Sequence, residues 1–314
     1  MSDPTIGAIE QEFHTLCSQG RYAAAYDLAT REAGRFPEAA QAIVYNWRFC
    51  TACLIGEQEL ALRLIGEAIE AGYYYSAEAL REDSDLAALH GRPEFEQLVE
   101  LSAERQAQAA AHARPDLKVI VPQNGAAPYP WLLALHGNRS NIAGSERHWR
   151  AAVERGWLLA LPQSSQAMGE QTYGWNDQRQ AIREITQHAA TIGEHHPVDQ
   201  RRLVLAGFSM GGGLAAWLAL SGELPARGLI AVGPYLSSVE SLVPLLDAPR
   251  PQPLRAYLVA SQRDKYCYQV AQTLAVMLPR HGIACELELH PDLGHDFPPE
   301  FERGLIRGLD FIMR

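Results

Sequence analysis

Along residues 1 to about 110, apolar positions recur three and four apart, carried by Ala and Leu among Glu, Gln and Arg, with almost no β-branched runs. That spacing predicts amphipathic helices and nothing else. From about 115 the texture changes to short apolar runs: "LKVIV" (117–121), "WLLAL" (131–135), "WLLAL" again (157–161), "LVLA" (203–206), "LIAV" (229–232), "AYLVA" (256–260) and "ACELEL" (284–289). Helical patterns separate them near 145–155, 177–195, 210–221, 266–280 and 299–313. Strands without in/out alternation that alternate with helices predict a mostly parallel sheet covered on both faces, its site beyond the strands' carboxyl ends. The chain thus divides into an all-helical domain, 1–110, and an α/β domain, 111–314.

The helical part repeats. "GRYAAAYDLATREAGRFP" (20–37) aligns with "GEQELALRLIGEAIEAG" (56–72) at a shift of 36, which sets Gly20 over Gly56 and Ala25 over Ala61. A glycine where one helix ends and a small residue where two helices cross are what stacked helical hairpins require. These residues resemble tetratricopeptide repeats, through Gly20, Tyr22, Ala25 and Pro37 in the first copy and Gly56, Ala61 and Ala68 in the second. The repeat length differs from the usual period of about 34, and Tyr73 stands where that family has proline. "DSDLAALHGRPEFEQLVELSAERQ" reads as the short helix and long closing helix that follow such repeats. Few hairpins bury little core alone, so this module is expected to lean on the rest of the chain. Its roles in view are a packing cap, a docking surface for a protein partner or a homodimer, and a wall over an active site.

Charge and cysteine content narrow the classes. A net charge of −10 with no Lys/Arg-rich block argues against nucleic acid as a partner. The N-terminal "MSDPTIGAIEQEFH" has acids where a signal peptide has bases, and no apolar run approaches the roughly 18 residues of a membrane span. A cytoplasmic protein without a membrane span is expected. Five cysteines, at 17, 50, 53, 267 and 285, are too sparse for a disulfide scaffold. Cys50 and Cys53 form a CxxC with no second copy, His14 and Cys17 a lone HxxC, and His195 and His196 a doublet without a partner at ligand spacing. All read as helix residues, and no metal site is expected.

The chemistry concentrates at Gly207-Phe208-Ser209-Met210-Gly211, a GxSxG where "LVLA" ends and the next helix begins. A turn this sharp holds the serine in a strained conformation, and the glycines remove side chains that would collide with strand and helix. Ser209 then stands exposed at the positive end of a helix. A serine needs a base, and the base an orienting carboxylate. Three histidines follow. His281 precedes the last strand and His290 ends it, whereas His295 lies in "PDLGHDF", a loop past that strand. His295 is the candidate base, His290 the alternative. Of Glu223, Glu240, Asp247 and Asp264, only Asp264 directly follows a buried-strand pattern, "AYLVASQRDK"; Asp296 reads as a solvated loop acid. The oxyanion would meet two backbone amides: that of Met210, after the nucleophile, and that of Asn138 in "LALHGNRSN", a loop that His136 shapes by hydrogen bonds.

Together with "VDQRRLVLAGFSMGGGLAAWLAL", "LHGNRSN", "YLVASQRDKY", "DLGHDF" and "YGWNDQRQAIREI", these residues resemble the α/β-hydrolase superfamily over 117–314, most closely its phospholipase/carboxylesterase and acyl-protein thioesterase-like branch. That branch has a glycine-aspartate pair where this chain has Arg139 and Ser140, and a glutamine where it has Met210. The departures point away from thioesters and toward small esters. The resemblance implies a Ser-Asp-His carboxylesterase working through a Ser209 acyl-enzyme, with water activated by His295 and no metal or organic cofactor. Tyr173, Trp175, Met210, Tyr235 and Phe297 are candidates to line the pocket of a small-molecule ester. Alternatives are a serine peptidase of the prolyl oligopeptidase type and a non-catalytic, repeat-based interaction protein.

Overall fold

The structure, a computed structural model, describes residues 6–36, 40–169, 171–250 and 252–314. They form two compact units: the chain up to Ala113 with 167–172, and Arg114–Gln166 with Tyr173–Arg314.

The first unit is helical: α1 (Ile6–Ser18), α2 (Tyr22–Glu32), α3 (Gln41–Leu54), α4 (Gln58–Glu70), α5 (Ala77–Glu82) and α6 (Pro93–His112). The 36-residue repeat is visible bond by bond. After α1 the Gly20 and Arg21 amides donate to the Cys17 and Leu16 carbonyls; after α3 the Gly56 and Glu57 amides donate to those of Cys53 and Ala52. Gly20 and Gly56 sit at φ +70° and +89°, the left-handed conformation that ends a helix cheaply only in glycine. Ala25 and Ala61 are fully buried. Pro37 lies outside the described residues, and Tyr73 is buried against Tyr45. Cys50 and Cys53 face the core built on α3, α4 and α6, and the Cys50 thiol donates to Asp83 Oδ2 at 3.4 Å. His14 packs edge-on against Trp47, and His195 is exposed with Nδ1 on the Thr191 carbonyl.

From Arg114 onward, counting the 167–172 segment that groups with the first unit, the elements run β1 (Asp116–Ile120), β2 (Tyr129–Leu135), α7 (Ile142–Trp149), α8 (Ala151–Glu154), β3 (Leu158–Gln163), β4 (Gln166–Gly169), β5 (Thr172–Gly174) and α9 (Gln178–His195). Then come β6 (Val198–Phe208), α10 (Met210–Ser221), β7 (Ala226–Val232), α11 (Val243–Leu246), β8 (Arg255–Ser261), α12 (Lys265–Arg280), β9 (Ala284–His290) and α13 (Phe301–Met313). Seven strands form one sheet in the order β1-β3-β2-β6-β7-β8-β9, parallel except for β1. Every strand expected from the apolar runs is present. The ribbon β4-β5 and the short helix α11 have no counterpart in the sequence reading.

Alternate residues of the buried strands feed two cores. Trp131, Leu133 and Leu135 pack with α9, α10 and α12; Leu132 and Ala134 pack with Trp149 and with Phe301, Leu305, Leu309 and Ile312 of α13. Each such large apolar side chain contributes about 1.5–3 kcal/mol when taken from water. That two-sided burial is why the central strands read as unbroken apolar runs. Chain order reverses at β2, which lies between β3 and β6. In open α/β sheets the crevice at such a reversal, at the strands' carboxyl ends, is where ligands bind.

Candidate active site

Ser209 follows β6 and precedes α10, with φ 53° and ψ −122°. Serine at a helix N-cap ordinarily turns its hydroxyl onto an amide of the first turn. Here the backbone conformation forbids it, and no side-chain cap bond forms. The hydroxyl is released for other chemistry, although the residue is 9% exposed and does not stand open to solvent as the sequence led one to expect, because His295 and the flanking loops close over it. Backbone bonds hold the turn: the Ser209 amide donates to the Val232 carbonyl at 2.9 Å, and the Ser209 carbonyl accepts from Gly213 at 3.0 Å and Tyr235 at 2.9 Å. The neighbouring glycines are required by contact. A Cβ on Gly207 would stand 2.4 Å from backbone atoms of Gly211, one on Gly211 2.3 Å from the His136 carbonyl, and one on Gly213 1.9 Å from the Tyr235 carbonyl.

Ser209 Oγ is 2.8 Å from His295 Nε2, and His295 Nδ1 is 2.5 Å from Asp264 Oδ2. Three loops at the carboxyl ends of β6, β8 and β9 therefore bring together the serine, acid and base candidates. Asp264 also caps α12, its Oδ1 accepting from the Cys267 amide at 3.3 Å. Burial alone pushes the Asp264 carboxyl up, but the hydrogen bond and charge of His295, with the Cys267 donors, outweigh it and hold it below the ordinary carboxylate value. The acid stays ionised beside the imidazole. His290, the alternative base, instead bonds Glu288 Oε1 at 2.9 Å; His281 bonds Asp247 at 2.8 Å. Asp296 turns back to accept from the Phe297 amide.

The loop after β2 is pressed against this turn, since a Cβ on Gly137 would meet the Phe208 ring at 2.9 Å. His136 shapes it. The Ser164 amide donates to His136 Nε2 at 3.3 Å, so Nδ1 carries the proton and donates to the Gly137 carbonyl at 2.7 Å. Full burial depresses this imidazole to about 4, against the opposing effect of the Gly137 carbonyl, and it is neutral. Trp175 stacks on it at 4.6 Å and donates from Nε1 to the His136 carbonyl at 2.9 Å. Beyond it Arg139 is left-handed at φ 53°, and Ser140 bridges to Tyr173. Neither the Asn138 amide nor the Met210 amide donates to any group among the described residues. Met210 opens α10, where amides have no partner within the helix.

The other pocket candidates separate into two kinds. Tyr235 is 39% exposed and its ring lies 5.3 Å from that of Tyr266. Phe297 is occupied with packing: it stacks on His148 at 3.7 Å and on Phe208 at 4.6 Å, and meets Trp149 and Phe301 edge-on. Trp175 is likewise buried, committed to His136. Two contributors escaped the sequence reading. Phe208 sets its ring 4.8 Å from that of His295, and Cys267 supports Asp264 from the first turn of α12. An aspartate at a strand end with a helical pattern after it was the available signal for the second.

Comparison with known proteins agrees with this architecture. Residues 8–110 match the family described as A/B hydrolase-like, N-terminal domain. Over nearly its full length the chain is similar to an uncharacterized protein from Bacillus cereus ATCC 10987, at 28% identity and TM-score 0.56, with 98% of this chain and 99% of that one covered. The structure of esterase PE8 matches at 17% identity and TM-score 0.52, over 64% of this chain and 98% of that one. Est1E from Butyrivibrio proteoclasticus matches at 14% identity and TM-score 0.50, over 64% and 94%. No curated protein matches the chain. The chain has the α/β-hydrolase fold, joined to a helical N-terminal part of a kind found with hydrolase-like domains. No helix among the described residues is long and apolar enough to cross a membrane.

Proposed function

We propose that the protein is a serine carboxylesterase acting on small esters, with Ser209 as nucleophile, His295 as general base and acid, and Asp264 as the carboxylate that orients the imidazole and stabilises it once it has taken the serine proton. The observation that carries this reading is the continuous hydrogen-bonded row from Ser209 Oγ to His295 Nε2, at 2.8 Å, and from His295 Nδ1 to Asp264, at 2.5 Å, beginning on a serine held at φ 53°. Attack of Oγ on the ester carbonyl passes the hydroxyl proton to Nε2. The tetrahedral oxyanion is met by the amides of Met210 and Asn138, each worth roughly 3 kcal/mol of transition-state stabilisation. His295 then protonates the departing alcohol. An acyl group remains on Ser209, and water deprotonated by His295 releases it as the acid. Residues 136–140 support a small acyl substrate: Arg139 and Ser140 occupy the places where thioesterase-like relatives have glycine and aspartate.

The test combines covalent labelling with turnover. A fluorophosphonate probe should label the full chain once, on Ser209, and p-nitrophenyl acetate should be hydrolysed. Ser209→Ala should abolish both while the melting temperature stays near that of the parent. Labelling that persists in Ser209→Ala, or a labelled peptide lacking Ser209, overturns the assignment.

A further inference from the structure

We propose that the acid end of this site doubles as a binding site for a soft divalent cation of the zinc type, held by Cys267, Asp264 and His295, and that occupancy switches hydrolysis off. Its inhibitory consequence rests on the esterase reading above; the binding site does not.

The arrangement follows from the helix cap. Because Asp264 caps α12, the residue three positions on has its amide 3.3 Å from the carboxylate, and its side chain starts beside it. That residue is a cysteine, 4% exposed. The Cys267 Sγ, a carboxylate oxygen of Asp264 and a ring nitrogen of His295 all lie within 4.8 Å of one another. Thiolate, imidazole and carboxylate are the donor set zinc prefers, at about 2.3, 2.0–2.1 and 2.0–2.2 Å in a tetrahedron whose fourth corner takes water. Tetrahedral angles at those lengths put ligand atoms about 3.4–3.6 Å apart. The Nδ1 to Oδ2 distance of 2.5 Å then has to widen by about 1 Å. The His295 side chain is 39% exposed, and the preceding Gly294 has nothing within 4 Å of where a Cβ would be. Both favour that movement. Among the described residues the sole ion-pair partner of Asp264 is His295, so no lysine or arginine competes with a metal for the carboxylate.

The Cys267 thiol gives its proton to solvent on becoming a thiolate ligand. The imidazole binds in its neutral form, with its proton on Nε2 rather than Nδ1, so that Nδ1 can bind the ion. Nε2 then donates where it previously accepted, and the Ser209 proton has no acceptor. One proton is released per ion, and the base is lost.

A second group, Cys50 with Asp83 and Asp85, also brings a thiol and two carboxylates together in the helical unit. It offers no imidazole and includes no residue of the row above. It serves as the internal control.

The experiment uses the full chain and ZnCl2 in a non-chelating buffer. Zinc should inhibit p-nitrophenyl acetate turnover, and a chelator should restore it. Cys267→Ser and Cys267→Ala should raise the half-inhibitory zinc concentration at least about tenfold, each measured against its own uninhibited rate, whereas Cys50→Ser should follow the parent. Binding is read separately from activity by calorimetry in the Ser209→Ala background, where adding Cys267→Ser should remove one site. If the cysteine variants do not fold, zinc absorption spectroscopy on the Cys50→Ser protein decides, since the bound ion must show one sulfur and one imidazole in its shell. Equal inhibition of parent and Cys267→Ser, no site lost in calorimetry, or a sulfur-free shell overturns the proposal. Absence of turnover without metal counts against the esterase reading alone.

Discussion

The most discriminating perturbation of the nucleophile turn is the smallest one, Gly213→Ala. The added Cβ would stand 1.9 Å from the Tyr235 carbonyl oxygen, and contacts of that kind are not found below 3.0 Å, so α10 and the 233–238 loop must part by about 1 Å. Neither side is free to yield. The amides of Gly213 and Tyr235 both donate to the Ser209 carbonyl, at 3.0 and 2.9 Å, so a wedge between them pulls on the nucleophile's own peptide. Overpacking of this kind costs about 1–3 kcal/mol, which for a unit this size lowers the melting temperature by about 2–4 °C per kcal/mol. The larger effect is on rate. A displacement of about 1 Å at reacting groups costs on the order of 100-fold, and Ser209 has to remain within 2.8 Å of His295. Stopped-time assays with p-nitrophenyl acetate and a thermal melt on the same preparation measure both. Gly34→Ala is the matched control, because that glycine has nothing within 4 Å of its would-be Cβ, and it should leave both values unchanged. Parental kcat and melting temperature in Gly213→Ala would refute the steric account of this turn.

Two further substitutions probe the acid and the oxyanion loop. Asp264→Asn keeps the shape of the helix cap but removes the charge facing His295 Nδ1, and should lower kcat/KM by about 10³–10⁴-fold while the melting temperature falls by no more than a few degrees; near-parental turnover would remove Asp264 from the mechanism. His136→Gln tests a buried, neutral imidazole. Its pKa in the folded chain is depressed to about 4 from 6.5, so the unfolded chain binds more protons between those values and the associated stability, full above 6.5, is lost as pH falls toward 4. That loss amounts to about 3 kcal/mol. His148 is depressed to about 4 too, chiefly by burial, and contributes in parallel. The drop in melting temperature between pH 7 and pH 5 should therefore be smaller in His136→Gln than in the parent but not zero, and an equal drop would show that His136 is not the group titrating.

How much was legible depended on whether a feature is dictated locally. The seven sheet strands could be read because the central ones are buried on both faces, so nearly every residue from Trp131 to Leu135 and from Leu203 to Ala206 had to be apolar. Strands β4 and β5, with four and three residues, carry no such run. Ser209 and Asp264 were the best-placed candidates of their type just after a strand, and His295 the one in the loop past the last strand; the sheet order brings those three segments together. Trp175 and Phe297 were candidate pocket walls, yet an aromatic side chain suits a core as well; what commits them is contact with His136 and with His148, Phe208 and Trp149, none of which sequence spacing encodes. Cys267 was invisible for a related reason. Its meeting with Asp264 is set by the cap geometry, which exists only once the helix has formed.

The three proposed catalytic residues are not held alike, and the difference has a mechanical consequence. Ser209 and Asp264 each occupy the N-cap of a helix packed on the sheet, and both are fixed by backbone bonds. His295 belongs to no helix or strand; it hangs in the segment between β9 and α13, positioned by its two side-chain partners and by the Phe208 ring. Its side chain is also the more exposed, 39% against 11% for that of Asp264. In the proposed mechanism the helix-capped ends hold the groups whose charge and trajectory must not change, while the group proposed to receive and deliver the proton is held by side-chain contacts alone. Beneath it the Phe208 ring packs on Phe297, which in turn meets Trp149 edge-on, so the imidazole rests on a continuous aromatic stack.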